Sequence, residues 1–306
     1  MKKQNFYKKL ILRVKSAVRA SRYPRSFSKK NNNIFSNEQH IIMQVLMRFE
    51  KKRFRDMPRF LELISEELNL PRIPCFTTIN KFSLRIKSVL IESLITNLVK
   101  SNQKRIVAID GTGFSLMKRS VYFGTVVGEI KQFIQYVAAA DVKTKLITAI
   151  SLKRKKRNEN VAVPSLMRKI SKSGKVSTYL GDKLYDSEKN HELAEKHGAR
   201  FIAPLKRKNV PIRRRKGIHR KQLAKNFPQK LYNKRSAIEG VFSVIKRKFG
   251  QMIYSKKYKT QKNKILFRTV AYNIDRLEKE GIIYLLSTKP KKKKQKKKKG
   301  NYAKRT

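Results

Sequence analysis

Three carboxylates are the residues of this chain whose types and positions could do chemistry. Asp110 and Asp182 each end a short apolar run, and Glu239 is the only acidic residue between Glu195 and Asp275. Two acids at strand ends and one on a helix can converge at one edge of a sheet, where carboxylate oxygens bind divalent cations. Two such ions activate a water or a 3′-hydroxyl and stabilise the departing oxygen at a phosphodiester. The alternative is that these acids form structural ion pairs with nearby Lys or Arg.

A polar stripe surrounds the helical acid. Tyr232, Arg235, Glu239 and Lys246 form the pattern Y-x2-R-x3-E-x6-K, and on one helix these positions fall within about 60° of arc. A separate apolar face lies on the same predicted helix, made of Leu231, Ile238, Val241, Phe242, Ile245 and Phe249. The polar residues therefore follow the edge of a buried helix, where they can meet both a sheet and a ligand. An exposed stripe of mixed charge is the alternative interpretation.

The surrounding pattern predicts the elements that must position these side chains. Short apolar runs predict five strands, and helical periodicity predicts four helices after residue 104. The predicted strands are 105–110, 133–140, 146–152, 176–182 and 200–205, and the helices are 160–170, 187–196, 231–249 and 261–279. This order, three strands followed by strands that alternate with helices, predicts a mixed α/β fold with helices covering the sheet. A basic loop, 206–230, interrupts it.

The composition divides the chain into four predicted regions. Residues 1–35 are a basic N-terminal arm, in which 6–20 can form an amphipathic helix or a frayed, solvated terminus. Residues 36–100 carry three short helices typical of a helix-turn-helix-like DNA-binding unit. A generic helical bundle would show the same pattern. Residues 101–285 form the catalytic domain, and 286–306 form a lysine-rich tail that we expect to be disordered.

The charge of the chain indicates its partners. Among 306 residues, 77 Lys and Arg stand against 20 Asp and Glu, giving a formal net charge of +57. Charge of this size is tolerable when a polyanion neutralises it, with nucleic acid the leading candidate and an anionic membrane the second. No uncharged apolar run approaches the roughly 20 residues of a membrane span. A single cysteine fits a reducing compartment, so we expect a cytoplasmic, nucleoid-associated protein that does not bind membranes.

Three segments resemble the catalytic blocks of a known family. They are Ile109-Asp110-Gly111-Thr112-Gly113-Phe114, Gly181-Asp182-Lys183-Leu184-Tyr185-Asp186-Ser187, and Tyr232…Arg235…Glu239…Lys246. Together they are similar to the DDE transposases of prokaryotic insertion sequences, over about residues 104–279. The second block has Gly181 where such proteins often have Ala and Leu184 where they often have Gly.

The resemblance implies a fold, an activity and a set of ligands. The fold is a ribonuclease-H-like catalytic domain, and the activity is metal-dependent cleavage at the ends of an insertion sequence followed by 3′-OH strand transfer into target DNA. Asp110, Asp182 and Glu239 would be catalytic and would hold two Mg²⁺ or Mn²⁺ ions. Tyr232, Arg235 and Lys246 would contact DNA. The partners are double-stranded DNA, both element ends and target, and a second copy of the chain in a homodimeric synaptic complex.

Two other functions use the same features. One is a non-catalytic DNA-binding protein derived from a transposase, and the other is a structure-selective nuclease on the same fold. Retention of all three acids and of the whole polar stripe argues against the first. Joining of a 3′-OH end to target DNA in the presence of a divalent metal separates a transposase from both.

The lysine-rich end is predicted to supply affinity for DNA rather than chemistry. Deleting residues 289–306, which hold nine lysines in positions 289–299, should weaken non-specific binding. Because each neutralised phosphate contributes about −0.9 to the slope of log K against log[salt], the deletion should also flatten that slope. Recognition of the element's ends should remain, since base contacts specify sequence. An unchanged slope in a salt titration would show that the tail does not touch DNA.

Overall fold

The computed structural model describes residues 2–27, 34–116, 133–154, 158–207 and 209–279. The predicted tail, 286–306, and part of the predicted arm lie outside these ranges. In chain order the elements are α1 (Lys2–Ala20), α2 (Asn37–Phe49), α3 (Met57–Glu62), α4 (Phe76–Arg85), α5 (Ser88–Leu98), β1 (Arg105–Leu116), β2 (Phe133–Asp141), β3 (Ile147–Lys153), α6 (Val163–Ser171), β4 (Val176–Gly181), α7 (Glu188–Lys196), β5 (Arg200–Ile202), α8 (Ile218–Lys225), α9 (Gln229–Tyr232), α10 (Ala237–Phe249), β6 (Met252–Ile253) and α11 (Tyr258–Lys279).

One mixed sheet forms the centre of the fold. Its strand order is β3-β2-β1-β4-β5, with β6 also paired to β1. Strands β1, β2 and β3 are antiparallel neighbours, whereas β4 and β5 run parallel to β1. The mixed α/β prediction is therefore confirmed, and with it the predicted order of strands and helices. Because β1 lies inside the sheet, its side chains are surrounded by neighbouring strands and covering helices.

Strand β1 is longer than the sequence predicts. The prediction ends the strand at Asp110, but the strand continues to Leu116, so Asp110 lies in its interior. The added segment, with its glycines at 111 and 113, keeps the extended conformation because it pairs with β2, where Gly111 faces Val137 and Gly113 faces Gln135. Tertiary pairing here overrides a local glycine signal.

The helix predicted over 231–249 is interrupted. The structure has the short helix α9, a 3-10 turn at Asn233–Ser236, and then α10. The tighter turn changes the relative directions of Tyr232 and Arg235 from those of an ideal α-helix. The predicted basic loop also contains regular structure, since it includes α8.

The first helix packs into the core. Among the residues of α1, Tyr7, Leu10 and Val14 are buried in the apolar cluster that also contains Phe114 and Phe242 of the later elements. The described part of the predicted arm is therefore a packed helix, because its apolar side chains repeat at helical spacing and cover one face of α2 and α5. The predicted helical interval, residues 6–20, lies within α1. None of the described helices is long and apolar enough to cross a membrane.

A buried amide ties the edge strand β3 to the last helix. The backbone N–H of Ile147 donates to Oδ1 of Asn273, and Nδ2 of Asn273 donates back to the carbonyl of Ile147, both at 2.9 Å. Asn273 is fully buried, so neither backbone group could find water if the side chain were removed. The pair fixes the position of α11 along the sheet.

Replacing this amide should destabilise the protein. Asn273→Ala is expected to lower the free energy of unfolding by about 2–3 kcal/mol, since two buried backbone groups lose their partner. Asn233→Ala, at an exposed position, is the matched control and should change it by less than about 0.5 kcal/mol. Urea unfolding followed by circular dichroism measures both. Equal stability of the two variants would contradict the role given to Asn273.

Candidate active site

Parallel pairing places two of the predicted acids next to each other. In the register of β1 and β4, Ile109 lies opposite Gly181, and each strand then continues with an aspartate, Asp110 or Asp182. Gly181 itself is tightly enclosed, since a Cβ there would lie 3.0 Å from Cβ of Tyr185 and 3.1 Å from Phe201. This crowding explains why glycine stands where the resembling proteins often have alanine.

The backbone holds Asp182 in place. Its side chain caps the 3-10 turn Lys183–Tyr185, with Oδ1 accepting the backbone N–H of Leu184 at 2.7 Å. Asp110 is held in a similar way, because its Oδ1 accepts the N–H of Gly111 at 2.9 Å. Each carboxylate therefore keeps one oxygen engaged with the backbone.

Arg235 joins the strand acid to the helix acid. Its Nη1 lies 3.1 Å from Oδ2 of Asp110, and its Nη2 lies 2.8 Å from Oε1 of Glu239. The Asp110 side chain is 18% exposed and that of Glu239 is 59% exposed, so the bridge extends from the sheet to the surface. Burial acts to lower the pKa of Arg235, but the charges of Asp110 and Glu239, together with Tyr232, raise the pKa overall. The guanidinium is thus a fixed counter-charge.

The site concentrates negative charge around Asp110. Burial raises the pKa of this carboxyl above its usual value. The N–H of Gly111 and the charge of Arg235 oppose that rise, whereas the charges of Asp182 and Glu159 add to it. Such an arrangement stabilises any cation that binds beside Asp110.

Glu159 is a fourth acid that the sequence analysis missed. Its Oε2 accepts the Tyr185 hydroxyl at 2.6 Å, and its carboxylate covers Gly111, where a Cβ would lie only 2.1–2.2 Å from the carboxylate atoms. The carboxylate therefore links the segment that carries Asp182 to the strand that carries Asp110. A signal was present in the sequence, because Glu159 is the only acid between residues 141 and 182. The same argument singled out Glu239.

The other members of the polar stripe also face β1. Lys246 on α10 donates from Nζ to Oγ1 of Thr112 at 2.6 Å, and burial lowers the pKa of this lysine. Tyr232 packs its ring against Phe227, with 5.3 Å between centroids, and lies close enough to Arg235 to hydrogen-bond with it. The structure therefore brings the stripe to the edge of the strand that carries Asp110.

The donor set suits a hard divalent cation. Carboxylate oxygens are the ligands that Mg²⁺ and Mn²⁺ prefer, and Asp110 and Asp182 supply them from adjacent strands. Across the described parts of the chain, no three His, Cys, Asp or Glu side chains are already grouped to hold a metal ion. Oε1 of Glu239 and Oδ2 of Asp110 both accept from Arg235, so the guanidinium must move before these two oxygens can act as ligands.

Comparison with known proteins identifies the family. The family model described as the transposase DDE domain matches residues 101–274, more than half of the chain and all three predicted acids. No curated protein matches.

Two solved structures are similar to this chain at low identity. A piggyBac transposase synaptic complex with hairpin DNA is 9% identical, with a TM-score of 0.45, covering 90% of this chain and 74% of its own. A simian T-cell lymphotropic virus intasome in complex with the PP2A regulatory subunit B56 gamma is 15% identical, with a TM-score of 0.26, covering 66% and 65%. On the family match, this chain belongs to the DDE transposase family, and it is an enzyme that acts on DNA with divalent metal ions.

Proposed function

We propose that this transposase cuts at the ends of an insertion sequence and transfers the 3′-OH end into target DNA, with Asp110, Asp182 and Glu239 as its catalytic residues. The observation that carries the proposal is the bridge of Arg235 from Asp110 to Glu239, beside Asp182 on the neighbouring strand. One cation thereby gathers acids that lie up to 129 positions apart in the sequence. Structural ion pairs alone would not require the two aspartates to end up on adjacent strands.

The metal ions are proposed to be two Mg²⁺ or Mn²⁺ ions. Asp110 and Asp182 would hold them, with Glu239 completing the set once Arg235 has released it. When bound, the ions would supply positive charge that stabilises the attacking and departing oxygens at a phosphodiester. Glu159 is proposed as a positioning residue, since it links Tyr185 to the strand beside Asp110.

The basic members of the stripe are proposed to bind DNA. Arg235 donates one hydrogen bond to each of two carboxylates in this structure, and the two oxygens of a phosphate can accept from the same two nitrogens. Transfer of Arg235 to a phosphate would free Glu239 at the moment when DNA arrives. Lys246 and Tyr232 would lie along the same DNA, from positions on α10 and α9.

The proposed reaction also defines the partners of the protein. Duplex DNA is the partner, both as element ends and as target, and we propose that two copies of the chain act together in the synaptic complex. The net charge of +57 supports a location on the nucleoid, because it matches a polyanionic surface.

Neutral isosteres of the acids should separate chemistry from binding. Asp182→Asn and Glu239→Gln are expected to lower cleavage of a labelled end duplex by roughly 10³-fold or more, because a metal ligand loses its charge. End binding in gel shifts should persist, and the fold should be kept, since asparagine still accepts the N–H of Leu184. Wild-type protein with Mg²⁺, Mn²⁺ or EDTA provides the controls. Cleavage by Glu239→Gln at the wild-type rate would make Glu239 only an ion-pair partner of Arg235.

Arg235→Ala should behave differently from the acid variants. It removes a charge-assisted contact to phosphate, so end binding should weaken by about tenfold and the salt slope should fall by about 0.9. Cleavage at saturating DNA should fall as well, because Asp110 and Glu239 lose the group that gathers them. Arg235→Lys keeps the charge and should recover part of the binding. If Arg235→Ala bound ends with wild-type affinity and salt dependence, Arg235 would not contact DNA.

A further inference from the structure

Three cations meet between α2 and α11, and none of them is paired with an acid in the described part of the chain. Arg48 lies in the last turn of α2, while Lys264 and Arg268 are one turn apart on α11. The ion pairs seen among the described residues include none of the three. Their favourable contacts are with uncharged groups: Arg48 donates from Nη2 to Oε1 of Gln44 at 3.4 Å, and Lys264 and Arg268 lie 6.0 Å and 5.7 Å from the ring centroids of Phe54 and Phe114.

Their donors are buried and partly unused. Nη2 of Arg268 donates to the carbonyl of Met252 at 2.7 Å, but Nε and Nη1 of Arg268, and Nε of Arg48, are buried with no hydrogen-bond partner among the described residues. Arg268 is only 8% exposed. Buried donors on a charged group are costly when they are unpaired, so their presence indicates a missing acceptor.

The pKa values of all three side chains show the cost of keeping these cations buried and close together. Burial lowers the pKa of Arg48 to about 9 and that of Arg268 to about 10. Burial, together with the charges of Arg48 and Arg268, lowers the pKa of Lys264 to about 8. The folded protein therefore keeps three like charges in partly buried positions, an arrangement that an anion between them would relieve.

The three side chains line one cavity of about 760 Å³. Three more cations line it from the segment after α2, namely Lys51, Lys52 and Arg53, and all three are exposed. Among the described residues that line it there is no aspartate or glutamate. The cavity thus has buried guanidinium donors and an exposed basic rim, which together suit a phosphate group.

The cavity is attached to the catalytic strand. Its wall includes Met252 of β6, which pairs with Ser115 of β1, five residues beyond Asp110. Five residues of strand span roughly 17 Å. A duplex covers that distance in about five base pairs at 3.4 Å each, so the separation lies within the length of a short end duplex.

We propose that this cavity binds a backbone phosphate of the DNA on which the enzyme acts, through Arg48, Lys264 and Arg268. The proposal rests on the proposed function in one respect, namely that the phosphate comes from DNA. In this proposal, DNA is held where the N-terminal helices meet the catalytic domain, at a site separate from the polar stripe on α9 and α10.

Lys264→Met tests the proposal, because it removes one charge and keeps most of the apolar stem. We expect affinity for an end duplex, measured by fluorescence anisotropy, to fall by about tenfold and the salt slope to fall by about 0.9. Without DNA, the variant should melt at a higher temperature than wild type, since a buried repulsion is gone. Lys259→Met is the matched control, an exposed lysine on the same helix, and it should change neither quantity as much.

Inorganic phosphate allows a second test of the cavity that does not use DNA. Millimolar phosphate should raise the melting temperature of wild type and of Lys259→Met by mass action, and it should not raise that of Lys264→Met. Arg48→Met repeats the test from the other helix. Equal DNA affinity and salt slope for Lys264→Met and Lys259→Met would overturn the proposal, as would a lower melting temperature or loss of folding in Lys264→Met.

The two proposals fail in different ways. If wild type cuts labelled ends while Lys264→Met and Lys259→Met bind DNA equally, the proposed function stands and the cavity is not a DNA anchor. If wild type cuts no ends with either metal while duplex binding and phosphate stabilisation still depend on Lys264, the anchor stands and the proposed chemistry fails.

Discussion

Repulsion between carboxylates at one edge of a buried sheet is the constraint on which this structure depends. Asp110 and Asp182 are adjacent because β1 and β4 pair in parallel, and Glu159 adds a third negative charge over Gly111. The charges of Asp182 and Glu159 disfavour ionisation of Asp110, and a nearby positive charge offsets this effect. Arg235 provides that charge here, and its second donor pair extends to Glu239. The position of the helical stripe against β1 follows from this neutralisation.

The cavity lined by Arg48, Lys264 and Arg268 has the opposite imbalance of charge, an excess of positive charge, and it lies beside the same strand, β1. Midway along β1 the acids beside Asp110 require a cation, and near the C-terminal end of β1 Arg48, Lys264 and Arg268 require an anion. A chain with a net charge of +57 neutralises its few acids easily, but it has too few acids to neutralise its buried bases. We infer that both imbalances are met by ligands of the working complex, divalent ions at the acids and DNA phosphates at the bases. Binding of metal ions or DNA should therefore also stabilise the fold, because each ligand offsets a repulsion between like charges in the unliganded protein.

Much of the fold could be predicted from the sequence because periodicity is local. The alternation of apolar runs predicted the strand and helix order, and the start of α2 is also local, because Ser36 forms a capping box with Gln39. The features that the sequence did not predict depend on residues far away in the chain. The extension of β1 past Gly111 follows from pairing with β2, and the packing of α1 follows from a surface that other helices supply. Glu159 was missed although its isolation among basic residues was visible, because no strand or helix pattern pointed to it. The assignments of the catalytic and DNA-contacting residues, and of a helix-turn-helix-like unit in 36–100, remain predictions.

The central claim is that Asp110, Asp182 and Glu239 become one metal site when Arg235 leaves them. A crystal structure of the protein with Mn²⁺ and a cleaved end duplex, with anomalous diffraction used to locate manganese, tests this claim most directly. We predict manganese peaks at about 2.2 Å from oxygens of Asp110 and Asp182. One of these manganese ions should also be bound by Glu239, and Arg235 should contact a phosphate. Manganese bound elsewhere, or absent while Arg235 still bridges Asp110 and Glu239 in the presence of DNA, would contradict it.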